Sequence, residues 1–157
     1  MPWRNWRGDS LRAKDIRVEP ISRKDARRII VANHYSKNPG PQNSKLYFGV
    51  FIGDRCGGAI SFGPPTDVRK VRNTVEGTRW NGFLEINRMA FADWLPKNSE
   101  SRALGYCLRL IRKTYPHIKW VQTYADGCQC GDGTIYRAAG FKLIGLRPNA
   151  SMYRMPA

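Results

Sequence analysis

A chain of 157 residues, 41% hydrophobic and 11% aromatic, is long enough for one folded domain with a real core. Its 27 Lys and Arg outweigh 12 Asp and Glu, for a formal net charge of +15 and a pI near 10.2. Such self-repulsion calls for a polyanionic partner, with nucleic acid first. No apolar run approaches the ~20 residues of a membrane span, and the opening MPWRNWRGDS has no apolar segment for a signal peptide.

Residues 1–14 read as a basic N-terminal arm on a single domain of 1–157. Trp3 and Trp6 stand there among Arg4, Arg7 and Arg12, a mixture suited to stacking on bases and lying along phosphates, or to packing on the domain. Residues 15–20 (DIRVEP) alternate like a short strand. Ser22 then caps a helix to about Asn33, with Asp25 completing a shortened capping box and Ala26, Ile29 and Ile30 on its apolar face. His34-Tyr35-Ser36-Lys37 and the loop Asn38-Pro39-Gly40-Pro41 follow. Residues 45–52 (KLYFGVFI) and 57–62 (GGAISF) form two strands about a turn at Gly53-Asp54. The basic segment up to Trp80, with Arg69, Lys70, Arg72 and Arg79, has no clear period and reads as a loop or insert.

Residues 83–91 (FLEINRMAF) are the next strand. After it, Trp94-Leu95-Pro96-Lys97-Asn98-Ser99-Glu100-Ser101-Arg102 joins strand to helix. Unpaired backbone N–H groups and the positive end of the helix dipole make that junction a seat for an anion such as a pyrophosphate. Lys97 and Arg102 add charge there, and Asn98, Ser99 and Ser101 add polar groups. Ser101 serves either as a plain N-cap or as a phosphate ligand. The helix, 101–115, places Leu104, Leu108, Ile111 and Tyr115 on one face, and Pro116 stops it. Residues 120–124 (WVQTY) are a buried-type strand ending near Asp126, 131–140 a short helix, and 141–146 a last strand. The expected class is α/β (α+β), a mixed, mostly antiparallel sheet flanked by helices.

Four cysteines, Cys56, Cys107, Cys128 and Cys130, do not make a disulfide framework in a chain of this size and read as reduced cytoplasmic thiols. Arg88 stands on an otherwise apolar strand, where a guanidinium needs a partner. That partner is either an anionic ligand or a structural carboxylate, Glu85 or Glu100. Asp126, at a strand's C-terminal end, is placed as a base, a metal ligand or a turn cap.

The element order, with Gly133-Thr-Ile-Tyr136-Arg-Ala-Ala-Gly140-Phe141 near its end, resembles the GCN5-related N-acetyltransferase (GNAT) fold, although the usual glycine-rich phosphate loop is replaced by residues 96–101. The combination of His34-Tyr35-Ser36, Asn87-Arg88-Met89, the 96–102 loop, Tyr124-Ala-Asp126-Gly127 and Gly133-Thr-Ile-Tyr136 is similar to the Mom DNA-modification family of Mu-like phages, from about His34 to Leu146. That resemblance implies conversion of adenine in double-stranded DNA to its N6-carbamoylmethyl form in the host cytoplasm, protecting the DNA from restriction. It further implies acetyl-CoA or a related acyl donor held by Arg88, Asn98, Ser99, Ser101 and Arg102. His34, Tyr35, Asp126 and Tyr136 become the catalytic candidates, Tyr136 as the acid for a departing thiolate.

Forming an N–CH2 bond is harder than acetyl transfer, and His34, Tyr35 and Asp126 together would suit iron(II) for that purpose. Arg4, Arg7, Arg69, Lys70, Arg72 and Arg79 are the DNA-binding candidates, holding the backbone while the base is extruded. An ordinary acetyltransferase of a protein or small amine, and a non-catalytic basic DNA-binding protein, are the competing readings. A monomer and a symmetric homodimer both fit.

Overall fold

The computed structural model describes residues 10–125 and 133–146. A 3-10 turn at Ala13–Asp15 leads into β1 (Arg17–Pro20), α1 (Arg23–Asn33), β2 (Leu46–Ile52), β3 (Arg55–Gly63), α2 (Val68–Arg72), β4 (Phe83–Phe91), α3 (Ser99–Thr114), β5 (Trp120–Gln122) and α4 (Thr134–Ala138). The five strands lie in chain order in one sheet. β1 to β4 are antiparallel neighbours, and β4 and β5 are parallel. The expected mixed, mostly antiparallel sheet flanked by helices is therefore what forms.

Helices cover both faces. On one, Leu104, Cys107 and Ile111 of α3 pack against Phe48, Val50, Ile60, Phe62, Leu84 and Ile86. Burying each large apolar side chain there contributes about 1.5–3 kcal/mol. The other face is flatter. Ala26 and Ile30 of α1 meet Ala59 and Ala90, whose small side chains let the helix approach closely. Ser22 caps α1 as its sequence suggests: its Oγ accepts from the Asp25 N–H at 3.0 Å. Burial pushes the Cys107 thiol up to about 12, so it stays protonated and behaves as a core apolar group.

Several elements differ from expectation. The basic segment before Trp80 contains α2, capped by Asp67, whose carboxylate accepts from the Lys70 N–H. The helix expected at 101 begins at Ser99, because Asn98, with φ at 69°, occupies the left-handed region just before it. Ser101 is consequently a first-turn residue and not the N-cap. Tyr115 lies beyond the helix and is exposed, and Ala103 and Cys107 complete the buried face in its place. β5 is half-buried and ends at Gln122. Residues 141–146 form no strand: among the described residues no sheet edge receives them, and Leu143, Ile144 and Leu146 stand exposed.

Two irregularities of β4 govern which of its groups are accessible and where they point. β5 pairs only with Phe83, Leu84 and Glu85, so from Ile86 onward β4 has no neighbour on that side among the described residues. Opposite β3, Ser61 faces Arg88 and Phe62 faces Ile86, which leaves Asn87 as an extra, bulged residue. A bulge re-aims the side chains around it, and here Asn87 and Arg88 both turn toward the side of α1.

Candidate functional site

The first cluster gathers where α1 ends. His34 closes the helix, its N–H donating to the Ile30 carbonyl at 2.8 Å. Its Nδ1 accepts from the Ser36 N–H at 3.2 Å and lies 2.7 Å from Ser36 Oγ. Ser36 Oγ in turn accepts from the Asn38 N–H at 3.3 Å. Those contacts assign the neutral proton to Nε2. Burial, then the positive charges of Arg88 and Lys37, hold the imidazole below its usual pKa. Tyr35 stacks on it with ring centroids 4.4 Å apart and is 62% exposed.

Arg88 reaches the same place from β4. Its Nη1 donates to the Asn87 carbonyl at 2.8 Å and its Nε to the Asn38 carbonyl at 3.4 Å. Neither carboxylate proposed as its structural partner holds it. Glu85 Oε2 is instead bonded by Gln122 Nε2 at 2.7 Å, and Glu100 stands in the first turn of α3, across the sheet. Among the described residues the guanidinium is held by neutral carbonyls, and its charge can act on an anion or on His34.

Sequence reasoning quoted Asn87 only within a family motif and gave no role to it, to Ser44 or to Ser61. Asn87 is buried within β4, its Oδ1 accepting from Ser44 Oγ at 2.7 Å. Asn87 Nδ2 and the buried Ser61 Oγ have no hydrogen-bond partner among the described residues. Unsatisfied buried donors are costly and point to a ligand or a function. An Asn inside an apolar strand was the available signal. Glu85 is a half-buried carboxylate on this face, and burial pushes its pKa up against the opposing effect of the Gln122 bond.

The second cluster lies on the α3 side of β4. A cavity of about 360 Å³ is lined by Phe91, Lys97, Asn98 and Ser101, and by Thr134 and Ile135 of α4. Asp93 and Glu100 line it too, so its character is mixed. The Asn98 side chain makes no capping bond, and the first ladder bond runs from the Arg102 N–H to the Asn98 carbonyl at 3.3 Å. The Glu100 and Ser101 N–H groups precede that bond, the arrangement that receives a phosphate. Asn98 and Ser101 line this cavity, where the sequence placed an anion seat.

Ser99 and Arg102 do not. Ser99 is fully buried, and its Oγ donates to the Pro96 carbonyl at 2.6 Å, locking the turn. Arg102 lies outside the cavity lining, its guanidinium bonded to Tyr106 Oη at 3.2 Å. Arg88 sits on the opposite face of the sheet from this seat. Tyr136 packs half-buried against the core and edge-on to Phe141, with centroids 5.9 Å apart.

Asp126, Arg4 and Arg7 lie outside the described residues, as do Cys128 and Cys130. Among the described residues no group of three or more His, Cys, Asp or Glu could hold a metal, and for iron they give His34 and Tyr35 alone. Arg69, Lys70 and Arg79 are exposed, and Arg72 is half-buried against Trp80. No described helix is long and apolar enough to cross a membrane.

A mostly antiparallel sheet whose one parallel pair parts beside an open helix start is the GNAT-like acetyltransferase fold. An aminoglycoside acetyltransferase from an uncultured soil metagenomic sample matches with a TM-score of 0.58 at 11% identity, over 89% of this chain and 98% of that one. AAC(6')-Ib in complex with acetyl-CoA matches with a TM-score of 0.56 at 14% identity, over 83% and 85%.

The sequence narrows this further. Residues 15–155 match the family model of the Mom protein family, and the chain belongs to that family. Methylcarbamoylase mom of Escherichia phage Mu is 42% identical over 134 residues, 85% of this chain and 55% of the relative. The chain therefore spans little more than half of that relative's length.

Proposed function

We propose that this chain is a phage-encoded DNA-modification enzyme that converts adenine in duplex DNA to N6-carbamoylmethyladenine in the host cytoplasm, protecting the DNA from restriction. The observation that carries this reading is the second half of β4, which has no strand neighbour on the β5 side among the described residues. On one face it bears Asn87 and Arg88 beside His34, and on the other Phe91 opens onto the cavity at the start of α3. A donor and an acceptor approaching from opposite faces meet at the strand edge that β5 leaves unpaired.

The α3 cavity suits the diphosphate of acetyl-CoA or a related acyl donor, with the Glu100 and Ser101 N–H groups and the Asn98 and Ser101 side chains around it. When bound, such a donor supplies the activated carbon. Arg88 and His34 serve the acceptor. The neutral imidazole, held by Ser36, presents Nε2 to the substrate, and Tyr35 offers an exposed ring for an extruded base to stack on. Tyr136 and Asp126 remain the candidates for acid and base. The +15 charge supports a nucleic-acid substrate.

The test is expression in bacteria, digestion of their DNA to nucleosides, and the mass of adenine. The carbamoylmethyl increment is expected. Acetyl-CoA turnover without DNA would favour an ordinary acetyltransferase, and unmodified adenine with salt-steep DNA binding would favour a non-catalytic binder.

A further inference from the structure

The segment between β3 and β4 is built to receive something. α2 is anchored by buried Val71 and by its Asp67 cap. The turn after it is pinned to the sheet, because Trp120 Nε1 donates to Thr78 Oγ1 at 2.9 Å. Trp120 stacks on Phe83 with centroids 4.6 Å apart. The next pair along β4 and β5 on that face is Glu85 with Gln122, and then come Asn87 and Arg88. The segment therefore stands on the same face as the His34–Arg88 cluster. It ends where β4 begins at Phe83, and because the bulged Asn87 adds no ladder step, Arg88 lies four steps, or about 13 Å, further along, about four base-pair rises of duplex DNA.

Despite this anchoring, Trp80 is left 56% exposed. The Arg72 guanidinium lies 5.3 Å from its ring centroid and supports it from one side. Between Asp67 and Trp80, Arg69, Lys70, Arg72 and Arg79 outnumber the two acids, Asp67 and Glu76. A cleft of about 430 Å³ opens alongside, lined by Arg72, Asn73, Thr78 and Arg79 together with the Glu76 carboxylate. A supported aromatic ring beside an excess of basic side chains matches a nucleotide, with a base for the ring and a phosphate for the charge.

Resting on the reading of the chain as a DNA-modifying enzyme, we infer that this segment is a second nucleotide subsite. Trp80 wedges into a base step several pairs from the target and stacks on the base face it exposes, and Arg79, with Arg69 and Lys70, takes the adjoining phosphates. It fixes the duplex in register with the His34–Arg88 cluster.

The experiment is a titration of the purified full chain with labelled duplex at several salt concentrations, with heparin as a polyanion that has no bases. Trp80→Ala is expected to weaken duplex binding about 5- to 100-fold with an unchanged salt slope and with heparin binding intact. Trp80→Phe should restore most of the loss. Arg79→Ala should reduce the slope by about one. Thermal unfolding of each variant should match the parent, since Trp80 and Arg79 are exposed. Duplex binding by Trp80→Ala within twofold of the parent, an equal loss toward heparin, or a Phe variant as weak as Ala would each overturn the subsite. Loss of the functional reading shows differently, as unmodified adenine despite intact, Trp80-dependent binding by the parent chain.

Discussion

A β-carbon added to Gly40 would stand 2.6 Å from Arg88 Cγ, so this loop glycine and the β4 arginine are in direct contact. Gly40 also has φ at 89°, a conformation that side-chain-bearing residues rarely adopt. Gly40→Ala should cost about 1–2 kcal/mol of stability from backbone strain. By displacing Arg88 it should lower DNA modification about 10- to 100-fold. Unfolding curves and nucleoside mass analysis measure the two effects separately.

The Arg88 charge should be visible in the titration of His34. Because the folded chain holds this imidazole below its usual 6.5, it binds fewer protons than the unfolded chain as pH falls toward the lowered value. The contribution of neutral His34 to stability is therefore complete above 6.5 and is lost as pH falls through the folded pKa. Arg88→Gln should move the imidazole titration, followed by NMR, upward toward 6.5. The acid limb of activity should move in the same direction.

Glu85 has the opposite sign. Its pKa is raised on folding, so the folded state prefers the proton, and stability falls as pH rises from the ordinary 4.5 through the folded value. Glu85→Gln keeps an acceptor for Gln122 and removes the half-buried charge. It should raise the Tm near neutrality by about 1–2 °C, an advantage that disappears in acid. A scan of Tm against pH for both proteins checks this.

The two serines at the start of α3 should separate cleanly. Ser99→Ala removes a buried 2.6 Å bond to Pro96, costs about 1–2 kcal/mol and lowers the Tm by about 2–6 °C. Ser101→Ala removes only a long bond of 3.4 Å to the Asn98 carbonyl and should leave the Tm unchanged. It should, however, weaken coenzyme A binding measured by calorimetry.

Periodicity and turn chemistry made most of the fold legible. The Ser22 cap, the Gly53-Asp54 turn and the apolar run of β4 are local signals, and the structure places those elements where they fall. The α3 start was not readable, because a left-handed Asn98 without a capping side chain and a Ser99 turned back on Pro96 start the helix two residues before the Ser101 that looked like its cap. Leu143, Ile144 and Leu146 have the composition of a strand, yet a strand also needs an edge to pair with. In the site, motif resemblance singled out His34 and Arg88. The importance of Asn87, Ser44 and Ser61 depends on a bulge that no spacing in the sequence announces. Glu85 looked like a partner for Arg88 only because the chain alone does not reveal Gln122 beside it.

The central claim is that the two faces of β4 act together, one on the donor and one on the base. The most direct test is the mass of adenine in duplex DNA from cells expressing the parent chain, His34→Ala or Ser101→Asp, with duplex binding measured on each purified protein. The carbamoylmethyl increment should appear with the parent and vanish with both variants, while binding stays close to the parent's. An undiminished increment from either variant would contradict the account.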